Sequence, residues 1–214
     1  MSKRQSAFAL LIVAVAAAGI SSLIYEVLWI RQLGFALGST QVATSIMLTA
    51  FLGGLVGGSL WMGRRADALK NPFGTFVLVE VAAAIAGLAS IPTLAWAGRA
   101  YVFLATSAGI TGMPSMFLRG AFSLVIMAIP ALLFGMTFPL ATVAGTRLVG
   151  DQTAVGAVSA ASSLGSAIGA LLCGLWLEPT FGLFTSALIA AGINGGAALL
   201  AYLAGRIVFI LREQ

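Results

Sequence analysis

The chain has 214 residues, of which 60% are hydrophobic and 8% charged, with a net charge of +5 and a mean hydropathy of +1.08. Soluble domains carry about 25% charged residues, so this composition excludes a soluble fold, which would lack the polar surface to cover itself. The basic residues are scattered between apolar runs rather than gathered on one face, which argues against a nucleic-acid partner. The absence of histidine and the single cysteine, Cys173, exclude an internal disulfide and the usual zinc sites. The few acidic residues are dispersed, so neither a carboxylate metal site nor a cofactor is expected.

Six apolar segments, each near the length of about 20 residues that a bilayer requires, are predicted near residues 7–32, 41–63, 73–95, 116–143, 153–176 and 181–207. The fold class is therefore all-α, a polytopic transmembrane bundle. Alternating strands of a membrane barrel are not visible. The first segment starts like a signal peptide, with a basic start and small residues. Its apolar run continues to Ile30, so an uncleaved helix is expected. It ends in "SSLIYEVLWIRQ", which places Glu26 where an ionisable group costs about 2.5–3.5 kcal/mol on insertion scales. Ala18, Gly19, Ser22 and Glu26 form one small, polar stripe that should face other helices. Arg31 and Arg119 are the candidate charge partners of Glu26, while Tyr25 and Trp29 suit a membrane interface.

The second segment carries Gly53, Gly54, Gly57 and Gly58, overlapping small-xxx-small pairs that allow close helix packing. "GGLVGG" follows no strand and is not a nucleotide loop. The third segment holds Glu80, with Ala83, Ala84 and Gly87 along its face. Residues 95–115 are interrupted by glycines, Arg99 and Pro114 and are expected to form an outer loop with an interfacial helix. The fourth contains Pro130, Gly135 and Pro139, which predict a kinked or broken helix. That is either a hinge or a static kink that shapes packing. The fifth has Ala157, Ala161, Gly165, Gly169 and Cys173 at a spacing of four. The sixth has Gly192 and Gly196 for packing, and Asn194 near its middle.

"FLGGLVGGSLW" and "SLGSAIGALLC" align at an offset of 112, pairing Gly53 with Gly165 and Gly57 with Gly169. "PFGTF" and "TFGLF" then open the third and sixth segments. The order suggests a three-plus-three inverted repeat, the unit of half a major facilitator transporter. With the N-terminus in the cytoplasm, the cytoplasmic side holds Lys3, Arg4, Arg64, Arg65, Lys70, Arg147, Arg206 and Arg212. The outer side holds only Arg31, Arg99 and Arg119. Both termini are therefore expected to be cytoplasmic.

"GISSLIYEVLWIRQLGFALGST", "AFLGGLVGGSLWMGRRAD", "PALLFGMTFPLA" and "SSLGSAIGALLCGLWLEPTFGL" together resemble the membrane domain of spermidine-synthase-like proteins, a fused major-facilitator and spermidine synthase architecture. The "YEVLW.R" element is the most specific part. The resemblance implies a bacterial inner-membrane location and a cytoplasmic synthase-like domain after the helices. This chain ends at Gln214 without a glycine-rich strand-turn-helix or an acidic catalytic loop. No enzymatic activity of its own is therefore expected, and any polyamine synthesis would belong to another chain.

Two readings of function remain open. In the first, Glu26, Glu80 and Asn194 line a path for a small cationic, polyamine-like solute, and a homodimer or another membrane chain completes the half-transporter. In the second, the chain is a non-transporting anchor that recruits a soluble synthase-like partner through Arg64, Arg65, Lys70 and its C-terminal segment. For each carboxylate the bland alternative is a buried ion pair, or a hydrogen-bonded carboxyl that fixes helix register.

Overall fold

A computed structural model describes residues 2–37, 40–108 and 113–212; within these ranges the side chains of 36, 37, 40, 104–106, 108, 113–117, 119, 151 and 212 are not described. The described residues form helices and no strand: α1 (Lys3–Leu37), α2 (Thr40–Ala66), α3 (Pro72–Ala108), α4 (Met113–Val149), α5 (Asp151–Leu172), a π-helical turn (Cys173–Leu177) and α6 (Glu178–Arg212). In an apolar setting this is the economical choice, because a helix satisfies its own backbone hydrogen bonds.

Among the described residues, five helical stretches are long and apolar enough to cross a membrane, rather than the six expected. The difference lies in the last stretch, Gln152–Leu211, which runs 60 residues. At about 1.5 Å per residue it is roughly three times the thickness of a hydrocarbon layer. It reverses direction. The Cys173 thiol lies 3.6 Å from the carbonyl oxygen of Ile24, and the Tyr25 hydroxyl donates to the carbonyl oxygen of Ala187 at 3.1 Å. Residues 173 and 187 thus sit at one level of α1. Between them Gly182 takes φ 74° and ψ 178°, a left-handed backbone that favours glycine.

Two other expectations give way. The outer loop predicted over residues 95–115 is helical as far as Ala108, as the continuation of α3. The fourth segment is not broken: helix runs from Met113 to Val149 with Pro130 and Pro139 inside it. Pro139 cannot donate to the Gly135 carbonyl. Ser59 Oγ of α2 donates to that freed oxygen at 2.8 Å instead, so the neighbouring helix supplies the missing bond.

α1 is the central helix and touches every other one. Its closest partner on one side is α5, which runs parallel to it: a Cβ at Gly165 would strike the carbonyl of Ala16, and one at Gly169 that of Ile20. α2 and α4 form a second parallel pair. There a Cβ at Gly54 would strike Ala131, one at Gly58 the carbonyl of Leu132, and one at Gly135 the carbonyl of Leu55. Behind these pairs α6 packs on α1 and α3, and α3 packs on α4.

The packing glycines of α2 are therefore Gly54 and Gly58. Gly53 meets nothing, and Gly57 meets only the side chain of Leu132. Gly192 and Gly196 of α6 likewise face open space. By packing role, Gly54 and Gly58 correspond to Gly165 and Gly169, an offset of 111 rather than the 112 read from the letters. A buried residue recurs at the same places in both stretches, at 54, 58 and 62 and at 165, 169 and 173.

Gly169→Ala is expected to lower stability by about 1–3 kcal/mol, the usual cost of overpacking. Gly53→Ala should be neutral or stabilising, by up to about 1 kcal/mol of helix propensity. Thermal unfolding of the two variants in detergent checks this, and equal losses would contradict the assigned faces.

Candidate functional site

Buried apolar side chains divide into two clusters stacked along the helices. One gathers Tyr25, Leu28, Trp29, Phe51, Met127 and Phe134. The other gathers Leu11, Phe73, Phe76, Leu140, Val158 and Ala201. Between them, at the same level of every helix, lies a polar belt. It comprises Ser21 and Ser22 on α1, Ser59 on α2, Glu80 on α3, Thr137 on α4, Ser162 and Ser166 on α5, and Asn194 on α6.

Two parts of this belt differ in character. Glu80 and Asn194 are fully buried, and Asn194 Nδ2 donates to Glu80 Oε2 at 2.6 Å. The other oxygen of each, Glu80 Oε1 and Asn194 Oδ1, has no partner. The pair bridges α3 and α6 behind the central helix. Such a group left unpaired in an apolar interior is costly, so this pair either fixes the register of two helices or awaits a further polar partner.

The second part is a cavity of about 200 Å³ between α1, α2, α4 and α5. Hydroxyls of Ser22, Ser59, Thr137, Ser162 and Ser166 line it among apolar walls that include Phe51, Phe76 and Phe134. Three of these hydroxyls donate to backbone carbonyls: Ser22 to Gly19, Ser59 to Gly135 and Thr137 to Phe134. Their lone pairs remain available as acceptors. Gly19 and Gly135 also line the cavity; the absence of side chains there leaves the room.

Glu26 lies one helical turn beyond Ser22 on the face of α1 that forms the cavity wall. It is half-buried and makes no hydrogen bond or ion pair with a described residue. Arg31, one of its two expected charge partners, does not engage it. Arg31 instead pairs with Glu178, Nε to Oε1 at 2.7 Å, where α6 begins. The side chain of Arg119 lies outside the described residues. The two carboxylates, Glu26 and Glu80, do not meet.

Glu178 was not singled out in the sequence. It is 8% exposed, with Oε2 unpartnered. The available signal was its sign and place: an acidic residue at the same end of the bundle as Arg31. The aromatic residues of the "YEVLW.R" element also sit elsewhere than expected. Tyr25 and Trp29 are fully buried, not interfacial. Tyr25 donates to α6, and its ring lies where a Cβ at Gly87 would be. Trp29 Nε1 donates to Ser90 Oγ at 2.8 Å, and Ser90 Oγ donates to the Gly87 carbonyl at 2.6 Å. Gln32 Nε2 donates to the Ile91 carbonyl at 2.7 Å. The element thus ties α1 to α3 at Ser90 and to α6 at Glu178 and Ala187.

Comparison with known proteins finds a distant similarity to polyamine aminopropyltransferase 1 of Streptomyces coelicolor, 27% identical over 208 residues. The alignment covers 96% of this chain but 35% of that protein, so the chain spans about a third of the relative's length. No protein-family profile matches the chain. No solved structure matches it either.

Glu80→Leu and Asn194→Leu should each cost about 1–3 kcal/mol, because each strands the remaining polar group. The double variant should cost less than the sum of the two. Unfolding of the four proteins in detergent measures this coupling; strict additivity would mean that the pair contributes nothing as a pair.

Proposed function

We propose that this chain is a six-pass bacterial membrane module whose hydroxyl-lined cavity, with Glu26 at its edge, binds a small polyamine-like cation. Five long apolar stretches are compatible with a membrane location. Taking the reversal at Gly182 as a turn between two passes gives six, with both termini on one side. The helix pairs also exchange under the substitution of α1 for α4, α2 for α5 and α3 for α6. Thus α1–α5 answers α4–α2, α1–α6 answers α4–α3, and α3–α6 answers itself. That supports a three-plus-three arrangement like half of a major facilitator fold, in which solutes bind near the midplane at the repeat interface.

The observation that carries the solute reading is Glu26. It has no described partner, although it stands within apolar helices beside a cavity rimmed with acceptor oxygens. A carboxylate in that position marks an ion or substrate path by default. An alkylammonium would satisfy it: the charged end faces Glu26, further N–H groups face the serine oxygens, and the methylene chain lies along Phe51 and Phe134. The cavity lies on the side formed by α1, α2, α4 and α5, which a second copy or another membrane chain would close. Glu80 and Asn194 then act from behind, through Phe76 one turn away, and the glycine-packed α2–α4 pair with Pro130 and Pro139 is the element that shifts.

A second reading is favoured by the extent of the match to the Streptomyces protein. The chain aligns over nearly its whole length with about a third of an aminopropyltransferase. On that basis it serves as the membrane module of a polyamine-synthesising assembly and does not itself move solute. A cytoplasmic synthase-like partner would then dock near Arg64, Arg65 and Lys70.

Proteoliposomes carrying the protein are expected to take up labelled spermidine. Glu26→Gln should lower uptake by roughly tenfold, the loss of one charge-assisted contact, with melting unchanged. An absence of uptake and of equilibrium binding by the correctly inserted wild type would overturn the solute reading in favour of the second.

A further inference from the structure

A second cavity, larger than the one in the polar belt, lies apart from it. It is a cleft of about 740 Å³ at the end of the bundle that holds the N-terminus. Four cations drawn from four separate parts of the chain converge on it: Arg4 at the start of α1, Lys70 in the α2–α3 turn, Arg147 at the end of α4 and Arg206 near the end of α6. No acidic residue lines it among the described residues. The side chains of Arg4, Lys70 and Arg206 make no hydrogen bond or ion pair with a described residue. Arg147 donates to the carbonyls of Asp67 and Leu69, at 3.1 and 2.9 Å, which fixes the turn carrying Lys70.

The remainder of the cleft is apolar and leads away from these charges. Phe73 and Val77 of α3 and Gly205 of α6 form its floor. Leu78, Tyr202 and Phe209 are 71%, 50% and 57% exposed along its sides, on the outer surface of the bundle. The start of α3 opens into it, with Asn71 Oδ1 accepting from Gly74 N–H at 2.9 Å. The helix dipole there adds to the positive potential. Charge above and an exposed apolar furrow below match one amphiphile: a phosphate headgroup with an acyl chain. A protein segment in the furrow would set its backbone groups against Phe73, Val77 and Gly205, which offer no polar side chain to pair with them.

We infer that this cleft binds an anionic phospholipid, with its phosphate held by Arg4, Lys70 and Arg206 and an acyl chain lying between α3 and α6. The inference rests on the membrane reading of the chain, and it concerns a site separate from the solute cavity. Lipid bound there clamps α3 to α6 at the end where the α2–α3 turn and the N-terminus meet. Basic clefts between helices on the cytoplasmic side suit such headgroups.

The test uses the purified full chain in neutral detergent. Native mass spectrometry and thermal unfolding follow addition of phosphatidylglycerol, phosphatidylcholine or inorganic phosphate. One phosphatidylglycerol per chain is expected to be retained, with a rise in melting temperature that phosphatidylcholine does not give. Lys70→Gln and Arg206→Gln should each weaken retention about fivefold without changing melting in detergent alone. Equal retention of the two lipids, or phosphatidylglycerol binding untouched by both substitutions, would overturn the assignment. A melting shift from inorganic phosphate equal to that from lipid would overturn it too, in favour of a free anion. Carbonate-washed membranes separate the premise from the site: loss of the wild-type chain from the pellet defeats the membrane reading, whatever the lipid result.

Discussion

Backbone-to-backbone contact at four glycines sets the spacing on which the rest of the bundle depends. Gly165 and Gly169 let α5 lie directly on the carbonyls of Ala16 and Ile20, and Gly54 and Gly58 let α2 lie on Ala131 and Leu132. The long apolar helices are compatible with a membrane, where the hydrophobic drive between helices is small and dispersion contact over such small-residue seams supplies the attraction. The same close approach brings Ser59 to the Gly135 carbonyl left free by Pro139, and Ser162 and Ser166 to the face of Ser22. The cavity is the space left where four helices are drawn in tightly and the side chains at the seam are too small to fill it.

A second constraint follows from the first. Inside such a bundle water is not at hand, so every buried polar group must find its partner in the protein. The "YEVLW.R" stretch meets this demand repeatedly: Tyr25 on α6, Trp29 through Ser90 to α3 and Arg31 on Glu178, while Gln32 Nε2, just after it, bonds α3. Against that background the unsatisfied groups stand out. Among the described residues, Gln32 Oε1, Glu80 Oε1, Glu178 Oε2, Ser186 Oγ and Asn194 Oδ1 have no partner, and the Glu26 carboxylate meets no described residue. Departures of this kind concentrate where a protein meets something else; Glu80 and Asn194 lie near the middle of the helices, Gln32 and Glu178 near the end that holds Arg31.

The polar belt and the basic cleft divide the chemistry of the molecule. The belt holds one carboxylate, Glu80, with Glu26 a turn beyond it, and lies between two apolar clusters; it is the part for which a small cation is proposed. The cleft is cationic, lies at one end and suits an anionic lipid. α6 joins them, since it carries Asn194 in the belt and Arg206 in the cleft.

Sequence by itself determined that this is an all-helical chain with long apolar stretches, because composition and run length respond only to the solvent each segment must meet. It also located Glu26, Glu80 and Asn194, since a polar residue among apolar ones is visible without coordinates. The glycine seams were legible as a spacing of four, but not which of two interleaved sets, Gly53 and Gly57 or Gly54 and Gly58, faces a neighbour. One residue is a rotation of about 100° on a helix, and only the position of α4 decides it. The continuous course of α4 through its prolines, the pairing of Arg31 with Glu178 and the convergence of Arg4, Lys70, Arg147 and Arg206 likewise belong to the tertiary structure. Each joins residues far apart in the chain, and helix packing alone sets the distances between them.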